Sequence, residues 1–316
     1  MTCSKILSYA VLLTLSLTAK AQITPPDRPS VFMENVVSTN LNERDMAIAP
    51  DGNEMFYTIQ ANQHALSTII RLKKLSNNKW SEPEVASFSG KYSDLEPAYS
   101  PDGKKLYFSS NRPAEGSNPK DFDIWYVENV NGQWSEARNI GAPVNTKANE
   151  FYPCVTAAGN IYFTAEYDNN VGKEDIYISH WVNGNYIAPV PLDTAVNSKL
   201  WEFNAFVTAD DRYIIFTSYG RKDDQGGGDL YISIKSDEGK WTPAKRLSSI
   251  NSNKLDYCPF VTFDQKAFFF TSGRHDLSSH EKARTFSELT KSYNGVNNGS
   301  ENIYWMSFAK LLESVK

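Results

Sequence analysis

Cysteine, histidine and strong net charge are all scarce in this chain of 316 residues, which has 3 Cys, 4 His and a formal charge of −5. No Cys pair stands at redox or zinc spacing, so neither chemistry has its ligands. His275 and His280 are the only close histidine pair, and His280-Glu281 continues as Lys-Ala-Arg, which excludes the zinc helix H-E-x-x-H. There is no G-x-S-x-G nucleophile elbow and no Gly-Lys-Ser/Thr phosphate loop. With 32 Lys and Arg against 37 Asp and Glu, the chain lacks the long-range attraction for phosphate on which nucleic-acid binding depends. Beyond the first twenty residues no apolar run is long enough to span a bilayer.

The first twenty-one residues form an expected export leader. Lys5 supplies the charged start, Ile6–Leu17 the apolar stretch, and Ala19-Lys20-Ala21 a small-residue cleavage site. Cleavage before Gln22 removes Lys5, Lys20 and Cys3 and leaves a net charge of −7. The mature chain is expected to be exported, periplasmic or extracellular, soluble and monomeric. The two remaining cysteines, Cys154 and Cys258, fall in non-neighbouring repeat units and are expected as free, buried thiols. A content of 41% hydrophobic and 13% aromatic residues is enough for a sizeable core.

One unit occurs five times. Its centre reads Ala-Ile-Ala-Pro-Asp-Gly at 47–52, Ala-Tyr-Ser-Pro-Asp-Gly at 98–103 and Cys-Val-Thr-Ala-Ala-Gly at 154–159; weaker copies lie at 206–211 and 260–265. The mean spacing is about 53 residues, close to the period of propeller blades. Each unit holds strand-like runs rich in β-branched and aromatic residues, such as Leu106–Ser110 and Tyr213–Ser218. Tight turns such as Asn131-Gly132 and Asn183-Gly184 follow the third run, and the aromatic after each is expected to open the fourth strand. The fifth unit stops near Phe308 without a fourth strand, while Ser30–Ser38 is a spare extended run ahead of the first. The reading is therefore an all-β, five-bladed propeller of four-stranded blades over 22–316. The blades span 43–90, 94–146, 150–198, 202–252 and 256–308, the last completed by 30–38.

The second unit, Glu96-Pro-Ala-Tyr-Ser-Pro-Asp-Gly-Lys-Lys-Leu-Tyr-Phe-Ser-Ser-Asn-Arg112 followed by Asp123-Ile, resembles the WD40-like propeller repeat of the TolB type of periplasmic protein. The resemblance covers roughly residues 30–308, although the last three units lose the Pro-Asp pair. Asn145-Thr146, Asn197-Ser198 and Asn251-Ser252 resemble envelope proteins that join such propellers to a peptidoglycan-binding domain, which this chain is expected to lack. The resemblance implies a periplasmic or surface-associated binding propeller and no particular chemistry.

Residues just before each innermost strand converge on the central opening. Aligned there are Glu43, Asp94, Glu150, Glu202 and Asp256, and two positions on stand Asp45, Glu96, Tyr152, Asn204 and Cys258. Arg112, Arg221 and Arg274 begin second-to-third loops on the same face and are the natural partners of these acids. Three readings stay open for this ring: blade-to-blade latches, a cation site in which oxygen ligands would suit calcium, or a surface that recognises a ligand or partner. On the last reading, charge reversal of Arg112 and Arg274 is expected to abolish capture without moving the melt. Asp223-Asp-Gln-Gly-Gly-Gly-Asp229 looks like a metal loop but is read as structural, because Asp229 aligns with Asp123 and Asp175. The expanded loop from His275 to about Ser300 is expected to carry a short helix capped by Ser278 or Ser279, as a lid, a contact element or a tolerated surface insertion.

The leading expectation is an exported, non-catalytic propeller, without cofactor, that binds an envelope protein or a glycan through the acid-and-Arg face. The competing expectation is a glycan-active hydrolase or lyase that uses axial carboxylates such as Asp94, Glu150 and Glu202.

Overall fold

The computed structural model describes residues 24–114, 116, 118–277 and 285–315. The expected leader, the Ser278 and Ser279 caps and His280 lie outside them. Five four-stranded antiparallel sheets follow one another along the chain, each a propeller blade. Blade 1 is Asn42–Ile48, Glu54–Gln60, Ser67–Lys73 and Glu84–Val85, and blade 2 is Asp94–Tyr99, Lys105–Ser110, Asp123–Val130 and Arg138–Asn139. Blade 3 comprises Glu150–Val155, Ile161–Ala165, Asp175–Ser179 and Val190–Pro191, and blade 4 Trp201–Val207, Tyr213–Tyr219, Asp229–Ile234 and Lys245–Arg246. Blade 5 takes Asp256–Val261, Ala267–Ser272 and Asn302–Ser307 from the end of the chain and Ser30–Val31 from its beginning.

The ring thus closes between the two ends of the chain, with Ser30 opposite Trp305 and Val31 opposite Tyr304. The closing strand is shorter than the extended run read from the sequence. After Val31 the backbone turns through left-handed Met33 and Asn35 (φ 45° and 63°) and only then reaches the first blade. Phe32 anchors the closure, its ring edge-on to Phe269 at 4.9 Å and to Trp305 at 5.3 Å.

One further expectation needs correction. The aromatics Trp80, Trp134 and Trp241 do not open fourth strands. They pair back onto the end of the third strand, and the fourth strands are two-residue ladders several positions later. The sequence reading also missed a helix, Phe308–Glu313, capped by Ser307, which buries Phe308 and Leu311 beside blade 5.

The core lies between blades. Each neighbouring pair encloses one apolar cluster; Tyr162, Ile176 and Ile178 of blade 3, for example, pack on Ile214, Phe216 and Tyr231 of blade 4. Cys154 and Cys258 are free and buried. The first-to-second turns need a left-handed residue at one position. Gly52, Gly103 and Gly159 supply it in blades 1 to 3 (φ 69°, 70° and 84°), and Asp211 and Gln265 adopt it without glycine in blades 4 and 5 (φ 60° and 54°). That difference is why the later copies look degenerate in sequence while the turn itself is kept.

If Phe32 secures the ring, Phe32→Ala should lower unfolding stability by about 3–5 kcal/mol, the usual cost of emptying a buried aromatic site. A urea titration reads this directly; a loss within the error of the titration would mean the terminal strand is dispensable.

Candidate functional site

Each innermost strand carries a fully buried acid at its start, and the five acids do the same job. Asp94 accepts from Ser89 Oγ (2.8 Å), Ser110 Oγ (2.6 Å) and Arg112 (2.6 Å). Glu202 accepts from the backbone and hydroxyl of Ser198 (both 2.7 Å) and from Arg221 (3.0 Å). Asp256 is held by Ser252 and by Arg274 at 2.8 Å, and Glu43 by Thr39 and by Asn302 at 3.0 Å. Each arginine gives a second bond to the connection from the preceding blade: Arg112 to Phe88 O, Arg221 to Val196 O and Arg274 to Ile250 O (2.8, 2.6 and 2.6 Å).

An asparagine in the same connection completes the joint at three junctions. Asn145, Asn197 and Asn251 bond both the N–H and the C=O of Ile124, Ile176 and Leu230 on the preceding third strand. Ser38 does the same to Ile303. The Asn-Ser and Asn-Thr pairs, read from the sequence only as a likeness, are therefore half of a latch whose other half is the acid four or five residues on.

Blade 3 departs from the pattern. Tyr167 stands where the arginines stand, its phenol oxygen within 2.8 Å of both Val144 O and Glu150 Oε1, with one proton to share between them. A neutral donor cannot balance the carboxylate, and burial pushes Glu150 up to about 7, with Asp123 adding to the rise. The arginine side chains are only 11%, 18% and 24% exposed. Reversing the charge of Arg112 or Arg274 would set two carboxylates together in a buried joint, so the melt would move, contrary to the sequence-based expectation.

The second position in every blade is a β-bulge. Pairing slips between Arg44 and Ala47, Leu95 and Ala98, Phe151 and Cys154, Phe203 and Phe206, and Tyr257 and Phe260. Asp45, Glu96, Tyr152, Asn204 and Cys258 are the left-handed residues of these bulges (φ between 49° and 62°), and they meet around the axis. Arg44, which the sequence reading did not single out, sits among them. It donates to Asp45 Oδ1 (2.8 Å), Glu96 Oε1 (2.9 Å) and Cys258 Sγ (3.4 Å), with its guanidinium over the Tyr257 ring at 4.9 Å. Against the cost of burial, Asp45 above all holds its pKa well above the ordinary value. Glu96 also accepts from Asn204 Nδ2 (3.1 Å) on Oε1, and from Ser109 Oγ (3.1 Å) and Tyr152 N–H (2.7 Å) on Oε2. Four donors fill the four lone-pair positions of that carboxylate.

Above this plug the axis widens into a funnel of about 370 Å³, walled by Phe122, Phe151, Phe203 and Tyr257 and floored by Arg44, Glu96 and Asn204. Glu174 lines it too. Burial, with Glu166, Glu96 and Asp175 nearby, raises this carboxyl to about 8, so it carries a proton at neutral pH. Burial likewise raises Glu96, to about 7.

The glycine-rich loop is closed on itself. Asp224 Oδ1 accepts from the N–H groups of Gly226, Gly227 and Gly228, Asp229 Oδ2 from Gln225 N–H and Arg246. Gly226 runs so close to Lys254 O that there is no room for a Cβ. Among the described residues no group of three or more His, Cys, Asp or Glu is arranged to hold a metal ion. Among the described residues of the expanded loop the helix is Phe286–Tyr293, capped by Thr285 in a reciprocal pair with Glu288. The funnel wall receives Glu301 from this region but no residue of the helix.

These features define a five-bladed β-propeller with latched blades, a plugged axis and a funnel at one end. No family model and no curated protein matches the chain. Among solved structures, one described as a glycoside hydrolase shares the fold at 10% identity with a TM-score of 0.55, covering 89% of this chain and 92% of that one. The catalytic domain of a GH62 α-L-arabinofuranosidase from Coprinopsis cinerea is similar at 10% identity and a TM-score of 0.49, over 90% of this chain and 94% of that one. A putative TolB from Agrobacterium tumefaciens is similar at 15% identity and a TM-score of 0.49, over 84% of this chain and 90% of that one. At these identities the likeness is one of fold. No helix among the described residues is long and apolar enough to cross a membrane.

The raised carboxyls fix the sign of a pH effect. Glu150 and Glu174 bind protons more tightly folded (about 7 and 8) than at their ordinary value of 4.5. Their contribution to stability is complete below that value and is lost as pH rises through 7 to 8. The melting temperature should therefore be higher at pH 5.5 than at pH 8.5, and Glu174→Gln should flatten the slope. A melt that rises with pH across this window would contradict the assignment.

Proposed function

We propose that the protein is an exported binding propeller that takes a glycan in its axial funnel. The funnel's composition carries this reading: four aromatic side chains on the wall, with the Arg44 guanidinium, the Asn204 carboxamide and the Glu174 carboxyl among them. Sugar rings present an apolar C–H face to aromatics and hydroxyls to such polar groups, and a concave pocket with a few fixed polar atoms suits them better than the broad face of a protein. The acids and arginines of the outer ring support the site by locking the blades that form it, and do not themselves meet the ligand. Cleavage of the leader at Gln22 would deliver the domain to the envelope.

A second reading, glycan hydrolysis, draws on Glu174, whose protonated carboxyl in the funnel has the form of a general acid. Such an enzyme also needs a free carboxylate as base or nucleophile. Glu96 is spent on four donors and cannot fill that role.

The test is calorimetric titration with a panel of neutral and acidic envelope and plant polysaccharides, alongside an assay for new reducing ends. Binding without release, weakened tenfold or more in Phe122→Ala and Phe203→Ala, is the expected result. Release of reducing ends that disappears in Glu174→Gln would replace binding with hydrolysis. Absence of both binding and release across the panel would overturn both readings.

A further inference from the structure

Blade 3 also breaks the repeat at the end opposite the funnel. After the third strand of each of the first four blades the chain doubles back, and one residue pairs with the aromatic that follows: Lys74 with Trp80, Asn129 with Trp134, and Lys235 with Trp241. In blades 1 and 4 the lysine ammonium lies over the indole, at 6.0 and 4.5 Å. Blade 3 places Trp181 at this position, opposite Tyr186, with ring centroids 4.7 Å apart. An architectural role would call for the lysine or asparagine found in the other blades. Trp181 instead leaves 44% of its surface in solvent.

The indole is held in place nonetheless. Its backbone N–H donates to Asn160 Oδ1 at 3.1 Å, and the ring lies against Gly159, where a Cβ would come within 3.1 Å of it. A large apolar side chain both exposed and fixed is a ready contact surface, because little conformational freedom is lost on binding.

Trp181 flanks a groove of about 930 Å³ between blades 2 and 3. Tyr107 and Tyr126 stand across from it, 5.9 Å apart; along the edge Asn129 Oδ1 accepts from Gly132 N–H (2.9 Å) and Asn185 Nδ2 donates to Asn183 O (3.4 Å), so each carboxamide has its other end to offer. Thr156 lines the groove with a hydroxyl that has no hydrogen-bond partner although the residue is 1% exposed. Charge in the groove cancels within it: Lys104 pairs with Asp102 at 3.7 Å and Lys105 with Glu128 at 3.6 Å. The lining charges therefore balance and favour neither an anionic nor a cationic ligand.

We propose that this groove is a second binding site, for a neutral oligosaccharide, in which Trp181 is the stacking platform. A sugar ring lies on the exposed indole face, and its hydroxyls bond to the carboxamides of Asn129 and Asn185. The site is independent of the funnel and lies at the other end of the molecule.

The experiment titrates neutral gluco-, xylo-, manno- and arabino-hexasaccharides into Phe203→Ala, which impairs the funnel, and into Phe203→Ala/Trp181→Ala. Hexagalacturonate serves as the acidic control. At least one neutral hexasaccharide should bind Phe203→Ala and weaken tenfold or more when Trp181 is also removed, with hexagalacturonate silent. Asn185→Ala, a change at an exposed turn that leaves the melt alone, should weaken the same ligand threefold or more. No neutral ligand bound to Phe203→Ala, binding that survives loss of Trp181, or preference for the acidic hexamer would each overturn the groove assignment. Because the funnel is impaired throughout, none of these results depends on what the funnel binds.

Discussion

Five strands that start at one axis bring five sets of polar side chains to the same place, and the fold depends on neutralising that crowd without opening it to water. Like charges in a low-dielectric site are tolerated only when each is paired or fully hydrogen-bonded. The chain meets this requirement in two concentric layers. The outer layer assigns one acid to each junction and surrounds it with hydroxyls, backbone N–H groups and, in three blades, an arginine. The inner layer collects the bulge residues around Arg44.

The two layers have different consequences for function. The outer joint ties the start of one blade to the third strand of the blade before it, so the blades cannot separate without exposing a buried charge. The inner plug closes the axis, which leaves a blind funnel rather than a pore. Polar atoms at the floor are thereby fixed in direction.

The repeat was legible in the sequence because it is a matter of turns and alternating apolar runs, as in Pro101-Asp102-Gly103 and Asn131-Gly132. Ring closure was legible as a missing strand at one end and a spare one at the other. The convergence of Glu43, Asp94, Glu150, Glu202 and Asp256 followed from alignment, and so did the proximity of Arg112, Arg221 and Arg274. Arg44 was not legible: it occurs in one blade only, and its inward direction is set by a bulge that no residue type announces. Tyr167 was hidden for a related reason, since a phenol replaces an arginine in its role and not in its chemistry. The helix cap at Thr285 is legible in the spacing of Thr285 and Glu288, which is that of a capping box.

Arg44 holds Asp45 and Glu96 together at a closed axis, and a double-mutant cycle with Arg44→Met and Glu96→Gln reads the coupling to Glu96. Removing Arg44 alone should cost about 3–5 kcal/mol, because it strands buried carboxylates. The double variant should lose clearly less than the sum of the two single changes. Losses that simply add, or an Arg44→Met protein as stable as the parent, would contradict the account.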